Sequence, residues 1–286
     1  MKYNYTSLVK SIHNNANKID LVFILTLCLL YFNSCSIGQV GNSLLEGVKD
    51  VNIFTDEEEL QFGKEYAEQH AQQVTFYTDK VVTAYINDLG QKLVKHSKRN
   101  NIPYTFTVID SKDINAYAVP GGFIYVNLGL IRTVQTESEL AFVLAHEIGH
   151  IVGQHSMKRL TQVYGIELLK QIILDEDSTE LKKIVADILA AGWLFKYSRD
   201  NERESDFYGV QNVYDVGIDP QGGIHFFETL QKLQHREPSA LEKLLSTHPI
   251  HSERISNIRA QIKGLPQKSG LRTNSSRFQQ VKQRIR

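Results

Sequence analysis

The sequence predicts an α+β fold, mostly helical with one small β-sheet. Two observations carry this. Apolar residues recur at helical spacing in one segment after another between 55 and 263, whereas a period of two appears only between 104 and 130. At 286 residues, with 42% hydrophobic and 22% charged side chains, the chain can bury a substantial core, and its composition excludes collagen-like, coiled-coil and disulfide-stapled architectures. Lys plus Arg (32) balances Asp plus Glu (32), so nothing draws the chain towards a nucleic-acid backbone and no nucleic-acid partner is expected.

The N-terminal region is read apart from that fold. Leu21 to Phe32 is an uncharged run of 12 residues preceded by Lys2, Lys10 and Lys18, the charged-then-apolar order of a secretory leader. It is too short to span a bilayer comfortably. The run ends in Phe-Asn-Ser-Cys at 32–35, which resembles a bacterial lipobox, although Phe32 stands where a smaller aliphatic residue is usual. Cys35 is therefore the expected lipidation site. Residues 1–34 read as a lipoprotein-type signal peptide and 35–54 as a tether, which makes the chain an exported cell-envelope lipoprotein facing the periplasm, anchored in the inner or outer membrane. The cysteines are Cys28 and Cys35, so cleavage after Ser34 leaves no internal disulfide.

The elements follow in order. Thr55 with Glu58 forms a capping box and Asp56 to Glu59 suit the positive end of a helix dipole, so a helix is expected to about Val74. Val82, Tyr85, Ile86, Leu89 and Leu93 give a second helix over 79–98. Tyr104 to Asp110 alternates as a strand, Phe123 to Leu128 is rich in β-formers, and Asn115 to Gly122 between them, with Pro120 and the paired glycines, reads as a tight turn. Helical periodicity returns over 137–155, 157–174, 180–195, 201–216, 221–235 and 252–263. The packed domain is thus expected over 55–262. The tail at 263–286 carries seven basic residues, no acid, and scattered Gly and Ser, and is expected to be disordered.

His146-Glu147-Ile148-Gly149-His150 is HExxH inside the helix that begins after Thr136. Two histidines four residues apart share a helix face and can bind one metal ion. Given the His and Glu content, about 0.04 chance matches are expected in a chain of this length. The surrounding residues, from Leu140 to Val152, are apolar nearly all round, so the helix is buried and its three ionisable side chains need partners. A metal ion with a bound water supplies them.

A catalytic zinc takes three protein ligands and keeps one position open. His155 is one residue short of the spacing HExxHxxGxxH and, on a continuing helix, points about 140° from His150. It reads as a polar surface or helix-end residue. Among the acids of Ser198 to Asp206, Glu202 shares a face with Asp206, Gly209, Val210 and Val213, whereas Glu204 shares one with Tyr208, Gln211 and Asp215. Glu202 is accordingly the expected third ligand. Asp206, one turn on, is placed to accept a hydrogen bond from the outer nitrogen of a zinc histidine.

HEIGH at 146–150, Glu202-x-x-x-Asp206, and NAYAVPGGFIYVNLGL at 115–130 together resemble metallopeptidase family M48, which includes the HtpX and CaaX prenyl endopeptidases. The resemblance implies a gluzincin-like, mostly helical zinc endopeptidase with His146, His150 and Glu202 as ligands of one zinc ion and Glu147 as general base. It places the chain with the soluble, envelope-lipoprotein branch, acting on misfolded or unfolded envelope proteins. A similar His-Pro near the end of the family pattern points to His248, either as a fourth ligand that keeps the enzyme latent or as a donor to the oxyanion. Arg254 and His251 read as helix-surface residues. Phe123 to Asn127 reads as an edge strand beside the metal helix where an extended peptide can add, with Gly122, Phe123, Ile124 and Tyr125 binding substrate. An envelope chaperone or assembly factor with a latent or secondary protease site is the competing reading.

Overall fold

The Thr55 hydroxyl accepts the Glu58 N–H and the Glu58 carboxylate accepts the Thr55 N–H, which starts helix α1 (Asp56–Ala71) with both orphan donors satisfied. In this computed structural model residues 52, 54–165, 171–173, 179–236, 238–249 and 252–285 are described. The leader at 1–34, Cys35, the tether up to residue 51, and His251 lie outside the described residues. The end of the tether is docked: Phe54 is buried and the Asn52 amide donates to Glu59 at 2.7 Å. No helix among the described residues is long and apolar enough to cross a membrane.

Helix α2 (Lys80–Val94) is capped by Asp79, which accepts the Val81 and Val82 N–H groups. Three strands follow: β1 (Thr105–Ile109), β2 (Ala116–Val119) and β3 (Phe123–Asn127). Their order in the sheet is β1-β3-β2, with β1 parallel and β2 antiparallel to β3. This corrects two expectations. Residues 116–119, read as part of a turn, are a strand, and only Pro120–Gly122 turns. Gly121 and Gly122 have φ of 78° and 93° there, and a Cβ on Gly122 would lie 1.9 Å from the Pro103 carbonyl oxygen. More consequentially, Phe123–Asn127 is the central strand. Its backbone pairs on both sides, so Gly122, Phe123, Ile124 and Tyr125 have no free edge for a peptide. On the far side of β1 the chain at 75–77 pairs with Val108 and Asp110. Strand β2, which packs against the HExxH helix, is the edge left over.

Helix α3 (Leu128–Thr133) leads to α4 (Glu137–Val152), which is buried from Glu137 to Ile151. Helices α5 (His155–Tyr164), α6 (Thr179–Ala191), α7 (Arg199–Asp215), α8 (Gln221–Arg236), α9 (Pro238–Thr247) and α10 (Ser252–Gly264) complete the helical part. The main apolar cluster surrounds α4 and draws on α2, the sheet, α7 and α8; a second joins Phe62 and Tyr66 of α1 to Tyr117, Tyr125, Ile184 and Phe195.

Both ends of α4 are held from a distance. At its start the Glu137 carboxylate accepts from Arg272 (2.8 Å), Tyr85 (3.1 Å) and Ser275, while Asn274 and Thr273 accept the Glu137 and Ser138 N–H groups. At its end Arg99, itself paired with Glu59 and Asp56, donates to the Ile151 carbonyl at 3.0 Å.

The tail is therefore not disordered. It forms α11 (Ser276–Arg284), with Phe278 and Val281 fully buried. Its positive charges, which suggested a solvated segment, have partners: Arg277 on Asp88, Arg284 on Asp79, and Lys282 on the carbonyls of Ile131, Arg132 and Val134 at the end of α3. Phe278→Ala is expected to lower stability by about 3–5 kcal/mol in urea denaturation; a solvated tail would give no change.

Candidate metal centre

Thr136 caps α4 by accepting the Glu139 N–H, and the helix then carries His146, Glu147 and His150 into the middle of the molecule. A Ser198–Asn201 capping box starts α7 and brings Glu202 and Asp206 to face them. His248 follows α9, and its N–H bonds the Leu244 carbonyl at 2.7 Å. One ligand atom from each of His146, His150, Glu202 and His248 lies within 4.8 Å of the others, and all four residues are buried.

The donor chemistry asks for a cation. His146 Nδ1 lies 3.0 Å from Asp206 Oδ1, so Nδ1 carries the proton and Nε2 presents a lone pair. That Nε2 is 3.0 Å from His150 Nε2, 3.4 Å from His248 Nδ1 and 3.6 Å from Glu202 Oε2, while His150 Nε2 is 3.4 Å from Glu202 Oε1. Donor atoms about 2.0–2.2 Å from a tetrahedral zinc stand about 3.4 Å apart. The residues present fit one zinc ion. Glu147 Oε2, Glu202 Oε2 and His248 Nε2 are buried without hydrogen-bond partners, as groups aimed at a reacting centre are.

Electrostatics agree. Burial alone would raise the Glu202 carboxyl, but His248 and Arg254 beside it hold it well below the usual carboxylate range. Asp206 is likewise held low against its burial by Arg254. Burial drives His150 well below its ordinary value, keeping it a neutral ligand, and pushes Glu147 up, with His248 and His146 opposing. His248 is raised despite its burial because Glu202 and Glu147 face it. Its Nε2 stands 3.7 Å from Glu147 Oε1.

Two residues read as peripheral, Arg254 and His155, and a third given no role, Tyr197, belong to the centre. Arg254 is buried, not on a helix surface. It makes a bidentate bond to Asp206 (2.7 Å to each oxygen), approaches Glu202 Oε2 at 2.6 Å outside hydrogen-bonding geometry, and stacks over Phe227 with 4.7 Å between guanidinium and ring centre. The signal was available: two core-facing acids one turn apart on α7 need a buried cation. His155 is also buried, and its Nδ1 contacts His150 Nδ1 at 2.8 Å. Helix phase turns it outward only on a continuing α4, and the helix ends at Val152. Tyr197 stacks on His150 with ring centres 3.8 Å apart. Nothing in its local sequence marks it. The predicted substrate residues at 122–125 lie in or beside β3 and are not among the ligating group.

A buried helical HExxH pair, joined by a glutamate from a second helix in a mostly helical α+β fold, defines a zincin-like metallopeptidase centre. The chain belongs to peptidase family M48, whose sequence profile matches residues 80–262. Peptidases of this family use zinc. The chain is 31% identical over 211 residues to the beta-barrel assembly-enhancing protease of Escherichia coli K12, covering 71% of this chain and 43% of that one, and 31% identical over 212 residues to the protein of that name from Yersinia pestis, with the same coverage. It is 31% identical over 181 residues to metalloprotease YcaL of Escherichia coli K12, covering 60% of this chain and 70% of that one. The chain spans about half the length of the beta-barrel assembly relatives it matches.

Removing Arg254 takes the guanidinium away from two buried carboxylates. In metal-free protein Arg254→Met is expected to cost about 3–5 kcal/mol in chemical denaturation at pH 7. The sign with pH follows from the depressed Asp206 and Glu202 carboxyls: their stabilisation is present above the unfolded value near pH 4 and lost below it. Arg254 is the main support of ionised Asp206, so without it burial raises Asp206 and the deficit should shrink as pH falls from 7 to about 4. A deficit constant with pH would contradict this assignment.

Proposed function

We propose that the chain is a zinc endopeptidase hydrolysing peptide bonds of misfolded or unfolded cell-envelope proteins, and that the conformation described above is its latent form. The observation that carries the reading is the convergence of His146, His150, Glu202 and His248 beside the unpartnered Glu147 Oε2. Zinc, when bound, supplies Lewis acidity, acidifying water and polarising a peptide carbonyl. Glu147 is the general base. Its raised carboxyl works nearer neutral pH, so it can take a proton from the attacking water and return it to the leaving amine. Asp206 holds the His146 tautomer, and Arg254 keeps Asp206 and Glu202 ionised.

Latency rests on His248. Catalytic zinc sites keep one position free of protein, and His248 Nδ1, 3.0 Å from Glu202 Oε1, would hold a bound zinc as a fourth protein ligand. The cavity beside Glu147, walled by Phe142, Phe226, Leu230, Leu244 and His248, has about 30 Å³. That volume suits water and not a peptide. Opening requires His248 to withdraw. An extended substrate can then add to β2, the free edge next to α4, where the Ala118 N–H already faces Glu147. Recognition through backbone groups favours chains that are unfolded. The leader and Cys35 motif support export and lipid anchoring, and the names of the beta-barrel assembly relatives support an envelope substrate.

Digestion of casein or an unfolded envelope protein by the zinc-loaded chain tests the reading. Chelator should abolish cleavage, His146→Ala should lose zinc, and Glu147→Gln should lower the rate by at least about 10²-fold with zinc retained. His248→Ala should raise the rate; a fall would assign His248 to transition-state support, and no change would remove it from the mechanism.

A further inference from the structure

We infer that His155 is a positioning residue for the metal centre, the middle member of a relay in which His150 donates to His155 and His155 donates to Glu204. The inference rests on the zinc reading of the site and deepens it. His146 has an acid, Asp206, on its outer nitrogen; His150 has a second imidazole. His150 Nε2 faces the ligating group, so its Nδ1 carries the proton and donates to His155 Nδ1 at 2.8 Å. His155 then carries its own proton on Nε2, which lies 3.2 Å from Glu204 Oε2. No donor is left facing a donor: His155 Nδ1 accepts from His150 at 2.8 Å, and the Ser205 hydroxyl, 3.5 Å away, can only add a second donor to it. Both imidazoles are at least nine-tenths buried, whereas the Glu204 side chain is 42% exposed, so the relay joins a metal ligand to the surface.

The local backbone is shaped for this contact. Helix α4 stops at Val152, and Gln154, at φ 53°, is the one non-glycine residue with positive φ among those described. Such a conformation is costly for glutamine and persists only where surroundings enforce it. It reverses the chain so that His155, the first residue of α5, folds back over the last turn of α4. Gly153 completes the arrangement. Its backbone is ordinary helix, with φ −74°, yet a Cβ there would stand 2.3 Å from His155 Nε2. The glycine is required by the imidazole and not by the turn. Tyr197 closes the other face, stacked on His150 and hydrogen-bonded through its hydroxyl to Ser156 at 2.9 Å.

Outer partners of metal-bound histidines typically carry 10–100-fold in metal affinity. Zinc dissociation constants of the purified full chain, measured by competition with a chromophoric chelator, test the relay. His155→Phe keeps a ring and removes the acceptor, and should weaken zinc binding 10–100-fold. His155→Asn places an amide oxygen near the Nδ1 position and should restore most of the affinity. Gly153→Ala, harmless to its own backbone, should weaken binding by displacing His155. The cobalt-substituted protein should show a shifted visible spectrum in His155→Phe and Gly153→Ala and a near-native one in His155→Asn, with metal-free melting temperatures matched to verify folding. Should His155→Phe fail to fold, Glu204→Leu at the surface end carries the test, with an expected loss of about 3–10-fold. Wild-type affinity and spectrum in the folded variants overturn the relay while leaving the zinc reading intact. Failure of the wild-type chain to bind zinc overturns both.

Discussion

Four lone-pair donors buried around a single point form the constraint on which this structure depends. The lone pairs of His146, His150 and Glu202 converge inside the apolar walls of α4, α7 and α8, and a cation between them relieves their repulsion. The charges favour a cation. Glu202 and Asp206, both held ionised, bring two negative charges against the single positive charge of Arg254, so the ligand group is left net negative. Burial on this scale is tolerable only when it is neutral and fully paired.

Much of the remaining architecture holds the α4 rod still. Its first turn is tied to the C-terminal segment through Glu137 and Arg272, and the Ile151 carbonyl near its end to Arg99. A rod held at both ends presents His146 and His150 with fixed spacing, and Asp206 and His155 fix the rings about their own axes. Precision in the ligands thus comes from elements far away in the chain, including a tail whose composition suggests solvent exposure.

The same burial leaves the described centre closed. Leu244 of α9 and His248 wall the cavity beside Glu147, and strand β2, the unpaired sheet edge beside α4 among the described residues, has all four residues buried. Access to β2 and access to the metal are therefore coupled: whatever removes His248 and its neighbours exposes a row of backbone hydrogen-bonding groups together with the general base.

The chemistry was legible in the sequence because it is local. HExxH on a helix needs only 3.6-residue periodicity to bring two imidazoles together, and the choice of Glu202 over Glu204, with Asp206 one turn later, needs only the phase of a second helix. Capping at Thr55 and Thr136 marked helix starts for the same reason. What stayed hidden depends on partners distant in the chain. Strand order in the sheet is invisible to β-propensity, so the central strand β3 was taken for the edge and β2 for a turn. Basic residues in the tail read as solvated until Asp79, Asp88 and Glu137, far earlier in the chain, came beside them. His155 and Arg254 reach the centre only because the chain reverses at Gln154 and because α10 packs on α7, events that no periodicity encodes. The sequence by itself determined which groups could bind a metal, since helical spacing sets side-chain direction; only tertiary packing decided which groups orient and close that site, since those contacts join segments with no regular separation along the chain.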